Sequence, residues 1–145
     1  MSNHLKSLKI ILNSVIGEVD WVVVKNIKMN TKSKQDIEYK ISQEISKILR
    51  TQLGEYSDNI IVQIIEDNII IRIKNILTPA ERQIIGKQEG VKLVSELKNN
   101  IFEKVKPILE KIIINTTNAE VIDIYSSVDI KNNERVGVFT LNKKL

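Results

Sequence analysis

The sequence predicts an α+β fold of two helix–β-hairpin units in tandem (αββαββ), with an antiparallel sheet and helices packed on one face. Two observations lead to this prediction. Stretches with Ile and Leu at helical spacing alternate with paired β-branched runs. Residues 43–73 also repeat the pattern of residues 103–139, a helix followed by two strands, which indicates a possible internal duplication.

The amino-acid composition excludes several kinds of functional site. The 145 residues fit one domain and contain no cysteine, which excludes disulfides and thiolate sites. The net charge of +4 comes from residues 1–34, which hold six lysines against two acidic residues. Residues 35–145 are neutral overall, which disfavours nucleic-acid binding. No apolar run is long enough to span a bilayer, and no signal peptide is recognisable, so a cytoplasmic location is expected.

The first 32 residues are predicted to form a basic leader outside the domain, which spans residues 33–141 and is followed by a tail at 142–145. Within the leader, residues 4–16 have helical spacing, and residues 21–29 are typical of a short strand or an extended linker. An alternative is that translation begins at Met29 and that residues 1–28 are an upstream extension.

The domain begins with a predicted helix at residues 33–53, closed by Gly54. Two β-branched runs follow, at 60–65 and 69–74, and predict a hairpin that turns at Asp67-Asn68. One face of this hairpin is fully apolar. The other face mixes polar and apolar residues, as in a sheet with one solvated or partner-covered face.

The stretch "LTPAERQIIGKQEG" (residues 77–90) predicts a firmly capped helix start. Thr78 is the N-cap, Pro79 occupies the first helical position, and Glu81 completes a capping box. Apolar spacing carries this helix to about residue 114, with a kink or restart at Pro107. Asn118 suits a left-handed cap, and two further strands lie within 120–130 and 135–141, joined by residues 131–134.

Gly86 and Gly90 each weaken a helix interior by up to about 1 kcal/mol relative to alanine. Two interpretations are open. Their spacing permits close approach of another backbone, from the first helix or from a second subunit. Alternatively, a bend or break separates residues 79–85 from a helix that resumes near Gly90.

The inventory of reactive side chains predicts a protein that is not an enzyme and holds no metal or cofactor. His4 is the only histidine, and no cluster has metal-ligand spacing. Asp123 and Asp129 share one strand, roughly 20 Å apart at ~3.3 Å per residue. Four basic residues are either solvated surface charges or an anion site: Arg72, Lys74, Arg82 and Lys87.

The segment "KNILTPAERQIIGKQEGVKLV", with "KPILEKIIINTTNAEVIDIYSSVDIKNNERVGVFTL" downstream, resembles the MpsC domain of bacteria. The resemblance covers about residues 33–141. The family pattern carries glycine where Asn118 stands and near Asn133, and asparagine is the best substitute at a left-handed position.

The resemblance implies an accessory or assembly protein of a cation-translocating, membrane-potential-generating system, acting from the cytoplasm or at the inner-membrane periphery through contact with a protein partner. A homo-oligomer is expected, formed through the half-apolar sheet face or the Gly86/Gly90 helix. The alternative is a soluble regulatory module that binds a small anionic ligand through Arg72, Lys74, Arg82 or Lys87.

Overall fold

A four-stranded antiparallel sheet and three helices make up the part of the chain that the computed structural model describes, residues 21–52, 57 and 59–145, with the backbone alone for 21–33. The helices are α1 (Trp21–Gln52), α2 (Pro79–Ile84) and α3 (Gln88–Thr117). The strands are β1 (Ile60–Ile65), β2 (Asn68–Lys74), β3 (Val121–Asp129) and β4 (Glu134–Leu141). The predicted α+β class is confirmed. The predictions for residues 4–16, His4 and Gly54 lie outside the described residues.

The strands lie in the order β1-β2-β4-β3, so the two hairpins meet where β2 pairs with β4. α1 precedes the first hairpin, and α2 and α3 precede the second, while the arrangement of two equivalent units in tandem stays a prediction. The internal duplication stays a prediction.

The core forms between one face of the sheet and helices α1 and α3. On the central strands β2 and β4, residues alternate between buried and half-buried, because successive side chains point to opposite faces. Ile69, Ile71 and Phe139 supply the inner face of these strands, and Ile41 and Ile45 supply the facing side of α1. Aliphatic side chains therefore dominate the core.

One backbone donor on the β1 edge of the sheet is bound by a side chain of α1. The Glu38 carboxylate on α1 accepts a hydrogen bond from the Ile64 backbone N–H at 2.9 Å. A charged side chain at this position satisfies an edge donor that would otherwise be open to pairing with another strand.

The strand or linker predicted for residues 21–29 is wrong, because the backbone there is helical and α1 begins at Trp21 rather than at residue 33. The Val22–Val24 run favoured a strand. β-branched residues cost a helix only a few tenths of a kcal/mol each, about 0.7 kcal/mol at most, so a helix can include them.

Two compact units divide the chain, Met1–Gln35 and Asp36–Leu145. Of the first unit, the structure describes residues 21–35 as helical backbone. The sites discussed below all belong to the second unit. The predicted division into leader, domain and tail stays a prediction.

The first hairpin turns one residue earlier than predicted. Ile65 pairs with Asn68, which leaves Glu66 and Asp67 as the two turn residues. Glu66 has the left-handed conformation (φ 56°), which was expected instead at Asp67-Asn68. The observed pairing places Val62 opposite Ile71 and Ile64 opposite Ile69 on the inner face. A turn at Asp67-Asn68 would shift the pairing by two residues and keep the same residues inward, so the alternation of apolar residues could not distinguish the two turns.

The single helix predicted for residues 79–114 is wrong, because it is two helices. α2 ends at Ile84, Lys87 has an extended conformation (φ −110°, ψ 150°), and α3 starts at Gln88. The break predicted as one alternative for this region is confirmed. α3 then continues through Pro107 without restarting. Pro107 is exposed, and the buried Val105 and Leu109 on either side anchor the helix to the core.

Asn118 ends α3 in the left-handed conformation (φ 58°), and its N–H bonds the Ile114 carbonyl, as predicted. Asn133 is also left-handed (φ 54°), in the turn between β3 and β4. Its side-chain oxygen accepts a hydrogen bond from the Leu77 N–H at 2.8 Å. The Asn133 side chain therefore supplies a hydrogen-bond acceptor that a glycine at this position would lack.

Replacing these two asparagines with glycine is expected to have different results. Asn118→Gly should leave stability unchanged or raise it slightly, because glycine adopts the left-handed conformation freely. Asn133→Gly should cost about 1 kcal/mol, because the Leu77 N–H loses its acceptor. Urea unfolding followed by circular dichroism measures both. Equal effects of the two replacements would contradict the role assigned to the Asn133 side chain.

Candidate functional site

The start of α2 has the predicted capping box. The Thr78 hydroxyl accepts a hydrogen bond from the Glu81 N–H at 3.2 Å, and the Glu81 carboxylate accepts one from the Thr78 N–H at 2.8 Å. Pro79 occupies the first helical position. These residues belong to the architecture, and Glu81 has a further partner.

That partner is Lys98, a buried lysine on α3. Its ammonium lies 3.1 Å from the Glu81 carboxylate and donates a hydrogen bond of 2.7 Å to the Ile76 carbonyl. The Lys98 side chain is only 4% exposed. Burying a charge is costly unless it is paired and hydrogen-bonded, and both conditions are met here. Lys98 thus fixes the β2–α2 loop and the start of α2 to α3.

Arg135 on β4 extends this arrangement. It donates a 2.7 Å hydrogen bond to the Lys98 backbone carbonyl and a 2.9 Å bond to the Ser126 hydroxyl, and its guanidinium lies 4.7 Å from the centre of the Phe102 ring. We call Glu81, Lys98 and Arg135 the ionic junction. It connects α2, α3, β3 and β4.

A cavity of about 50 Å³ adjoins the ionic junction, between α1, α3 and the sheet. Lys98 and Arg135 line it together with mostly aliphatic side chains. Since one water molecule takes up about 30 Å³, the cavity has room for one or two waters and is too small for a metabolite.

The electrostatics of the junction favour an ionised Glu81. Burial raises the pKa of its carboxyl, but the Thr78 N–H and the Lys98 ammonium together outweigh burial, so the pKa lies below its ordinary value of 4.5. Because the folded state lowers this pKa, the pair stabilises the fold above the unfolded pKa, and that contribution is lost as pH falls through the folded pKa.

Stability is therefore expected to fall as the pH drops below about 4.5, the ordinary glutamate value. Part of this fall should be absent in Glu81→Gln, which cannot titrate. Chemical unfolding between about pH 3 and pH 7 measures the difference between the two proteins. Parallel pH profiles would contradict the assignment.

Gly90 contacts another backbone, and that backbone is in the same chain. A Cβ added at Gly90 would lie 1.6 Å from the Ile84 carbonyl oxygen, whereas one added at Gly86 would meet nothing within 4 Å. The helix break predicted as one alternative is present, and the close approach at Gly90 involves the end of α2 rather than the first helix or a second subunit that the other alternative named. The space beside Gly90 is filled by α2, so it is not open to a second subunit.

The basic residues considered for an anion site lie in two parts of the fold. Arg72 and Lys74 lie on β2, and Arg72 bonds Glu134 on β4 at 2.6 Å. Arg82 and Lys87 are exposed on α2 and in the turn after it.

Two apolar surfaces are exposed. We call the first the corner patch: Ile84 at the end of α2 is 44% exposed, and Leu93 and Leu97, one turn apart on α3, are 60% and 47% exposed. Leu93 and Leu97 continue the stripe of α3 that begins at Gly90, which contacts Ile84. The corner patch was not predicted from the sequence as an apolar surface.

The second is the outer sheet face, the side of the sheet away from the core. It consists of Ile61, Gln63 and Ile65 on β1; Asn68, Ile70, Arg72 and Lys74 on β2; Glu134, Val136, Val138 and Thr140 on β4; and Asp123, Tyr125, Ser127 and Asp129 on β3. All these residues are half-buried or exposed, and Tyr125 is 65% exposed. The predicted half-polar face of the first hairpin is part of it.

Sequence reasoning missed Lys98 and Arg135. Signals for both were present. Lys98 lies four residues after the buried Val94, within the apolar spacing of α3, and Arg135 alternates with Gly137 and Phe139 on the inner face of β4. A charged residue at a core position indicates a buried pair.

In the described part of the chain, no helix is long and apolar enough to cross a membrane. The same residues contain no group of three or more His, Asp or Glu side chains that could hold a metal ion.

Comparisons with known proteins agree with the resemblance noted in the sequence. The uncharacterised protein YbcI of Bacillus subtilis (strain 168) is 34% identical over 110 residues, which cover 76% of this chain and 89% of that protein. No solved structure matches significantly. The family model described as "Na+-translocating membrane potential-generating system (MpsC)" matches residues 33–143, which include the capping box, the ionic junction, the corner patch and the whole sheet. The chain therefore belongs to the MpsC family, whose name links it to a membrane-potential-generating sodium system.

Proposed function

We propose that this protein is a non-catalytic accessory or assembly module of a cation-translocating, membrane-potential-generating complex, acting from the cytoplasmic side through protein–protein contact. Membership of the MpsC family is the observation that carries the proposal. Self-assembly of the module is part of the same proposal.

The corner patch is the surface that fits a protein partner in this complex. Its three large apolar side chains are each more than 40% exposed. Leu93 and Leu97 lie on the stripe of α3 that begins at Gly90, and the backbone of Ile84 contacts Gly90. Contiguous exposed apolar residues commonly mark interaction sites. The capping box and the Gly90 contact hold this corner in place, so a partner would meet a pre-organised surface.

A non-catalytic role is supported by what the buried charged groups do. The Lys98 ammonium binds the Glu81 carboxylate and the Ile76 carbonyl, and the Arg135 guanidinium binds the Lys98 carbonyl. Their hydrogen bonds join the helices to the sheet, which is a structural role.

Affinity purification of the tagged protein from detergent-solubilised membranes of its native host tests the proposal. Leu93→Lys is compared with Ile114→Lys, a matched control on the same helix whose side chain is 39% exposed. The two positions are about 30 Å apart at ~1.5 Å per residue. We expect a polytopic transport subunit, identified by mass spectrometry, to be retained by the wild type and the control and lost with Leu93→Lys.

Recovery of cytosolic proteins alone by the wild type would contradict the accessory role. It would favour the alternative, a regulatory module for a small anion. That alternative predicts a rise in melting temperature with millimolar bicarbonate or phosphate. A second version of the protein starting at Met29 shows whether residues 1–28 contribute to retention.

A further inference from the structure

Charge divides the outer sheet face into two halves. Of the outward-facing residues named for this face, those on β1 and β2 include two basic side chains, Arg72 and Lys74, and no acidic one. Those on β4 and β3 include three acidic side chains, Glu134, Asp123 and Asp129, and no basic one. The boundary between the halves lies between β2 and β4, the two central strands.

Apolar residues occupy the middle of the same face. Ile70 on β2 pairs with Val138 on β4, and Tyr125 on β3 pairs with Val138 from the other side. Val136 lies one pair further along β4, and Ile61 occupies the corresponding position on β1. Charged residues lie at both ends of the strands around this centre, Lys74, Glu134 and Asp129 at one end and Asp123 at the other, which is the layout of a protein interface with a polar rim.

We propose that two copies of this chain stack through their outer sheet faces about a two-fold axis that runs parallel to the strands, midway between β2 and β4. This rotation places β2 over β4 of the partner subunit and β1 over β3 of the partner subunit. Lys74 then faces Glu134 of the partner subunit, and this contact occurs twice because the interface is symmetric. Arg72 faces Val136 of the partner subunit, and β3 faces β1 of the partner subunit, whose outward residues are uncharged.

The register of the strands specifies the contacts. Residues paired between β2 and β4 in one sheet become opposed between the two sheets, because the axis leaves positions along the strands unchanged. Ile70 lies over Val138 of the partner subunit, and Lys74 lies over Glu134 of the partner subunit. Sheets stacked in this aligned way pack about 10 Å apart, a distance that side chains of this size fill.

The size of the face predicts a weak dimer. Four strands about 4.8 Å apart and about eight residues long, at ~3.3 Å per residue, give a flat area of about 500 Å². A standard interface buries about 800 Å² per partner. We therefore expect monomer and dimer to exchange at micromolar concentrations, with Tyr125 as the aromatic anchor.

The separation of charge on the outer sheet face favours a second copy of this chain as the binding partner. An anionic membrane surface or a nucleic acid would be attracted by one half and repelled by the other. A second copy satisfies both halves with a single surface. This inference deepens the proposed function by naming one partner as a second copy, and its test needs no membrane component.

Sedimentation velocity of the full chain, from about 1 to 300 µM, tests the dimer by mass action. We expect a monomer–dimer equilibrium for the wild type. Val138→Lys, in the centre of the outer sheet face, should weaken association at least tenfold, about 1.4 kcal/mol. Leu93→Lys in the corner patch should associate like the wild type. A wild type that stays monomeric throughout, or a Val138→Lys protein that still dimerises, would overturn the proposal.

A charge exchange tests the geometry. Lys74→Glu should be monomeric, because it faces Glu134 of the partner subunit, and Glu134→Lys should be monomeric because it faces Lys74 of the partner subunit. An equimolar mixture of the two should regain the dimer, since every opposed pair is again of opposite sign. Circular dichroism checks that both variants are folded, because Glu134 also bonds Arg72 in its own chain. A mixture that remains monomeric would overturn the stated axis.

Discussion

Replacing Gly90 with alanine is expected to destabilise the protein by at least about 3 kcal/mol, because inserted atoms in a filled space force the backbone to move. The new Cβ would lie 1.6 Å from the Ile84 carbonyl oxygen, which belongs to backbone and cannot rotate away. α2 would have to separate from α3. At this chain length the loss corresponds to a fall in melting temperature of roughly 10 °C, measurable by calorimetry.

Gly86→Ala is the matched control. A Cβ there meets nothing within 4 Å, and Gly86 is not among the residues with left-handed backbone. Alanine restricts the unfolded chain, so stability should be unchanged or higher by up to about 1 kcal/mol. Similar melting temperatures for the two alanine variants would show that the α2–α3 corner is looser than described.

Replacing Lys98 with methionine is expected to cost about 3 kcal/mol, because removing one member of a buried pair leaves the other charge uncompensated. Methionine keeps much of the aliphatic part of the lysine side chain, so the loss of stability measures the contribution of the ammonium group. Glu81 would remain 9% exposed without its cation, and the Ile76 carbonyl would lose a donor. Equilibrium unfolding in urea measures the change.

A double-mutant cycle separates pairing from packing. Glu81→Gln alone leaves a buried cation without its carboxylate, and the double variant removes both charges. Residues in direct contact couple by about 0.5–3 kcal/mol, so the double variant should be less destabilised than the sum of the two single variants. Strictly additive losses would show that Glu81 and Lys98 act independently.

Local patterns predicted much of the fold. The capping box at Thr78 and the left-handed cap at Asn118 depend on a few neighbouring residues, and both are confirmed. The class of fold followed from alternating helical and strand periodicity. Local chemistry was not sufficient everywhere, because the strand predicted for residues 21–29 and the turn predicted at Asp67-Asn68 also rested on local patterns and were wrong.

Features set by distant contacts were harder to predict. The first hairpin turns at Glu66-Asp67 rather than at Asp67-Asn68, and because both turns keep the same residues on the inner face, the apolar alternation in the sequence could not distinguish them. The break between α2 and α3 depends on contact of Gly90 with Ile84, and sequence alone left it as one of two alternatives. The ionic junction joins residues up to 37 positions apart, as in the bond from Arg135 to Lys98, and no local pattern reveals such a pair.

The candidate surfaces were predicted only in part. The half-polar character of the hairpin followed from alternation on β1 and β2. Its continuation across β4 and β3, with opposite charge, became visible only once the strand order was known. The corner patch could not be recognised before the helix break placed Ile84 beside the stripe of Leu93 and Leu97.

The strand order also has a consequence for synthesis on the ribosome. β2 needs β4 as its neighbour, and β4 begins at Glu134, about 60 residues after β2 ends at Lys74. Because translation adds about 5–20 residues per second, the β2 edge of the isoleucine-rich hairpin stays unpaired for several seconds before β4 is synthesised. Such a segment is prone to aggregate with other nascent chains. α1 has already emerged by then, so Ile41, Ile45 and Leu49 are available to shield the hairpin until translation is complete.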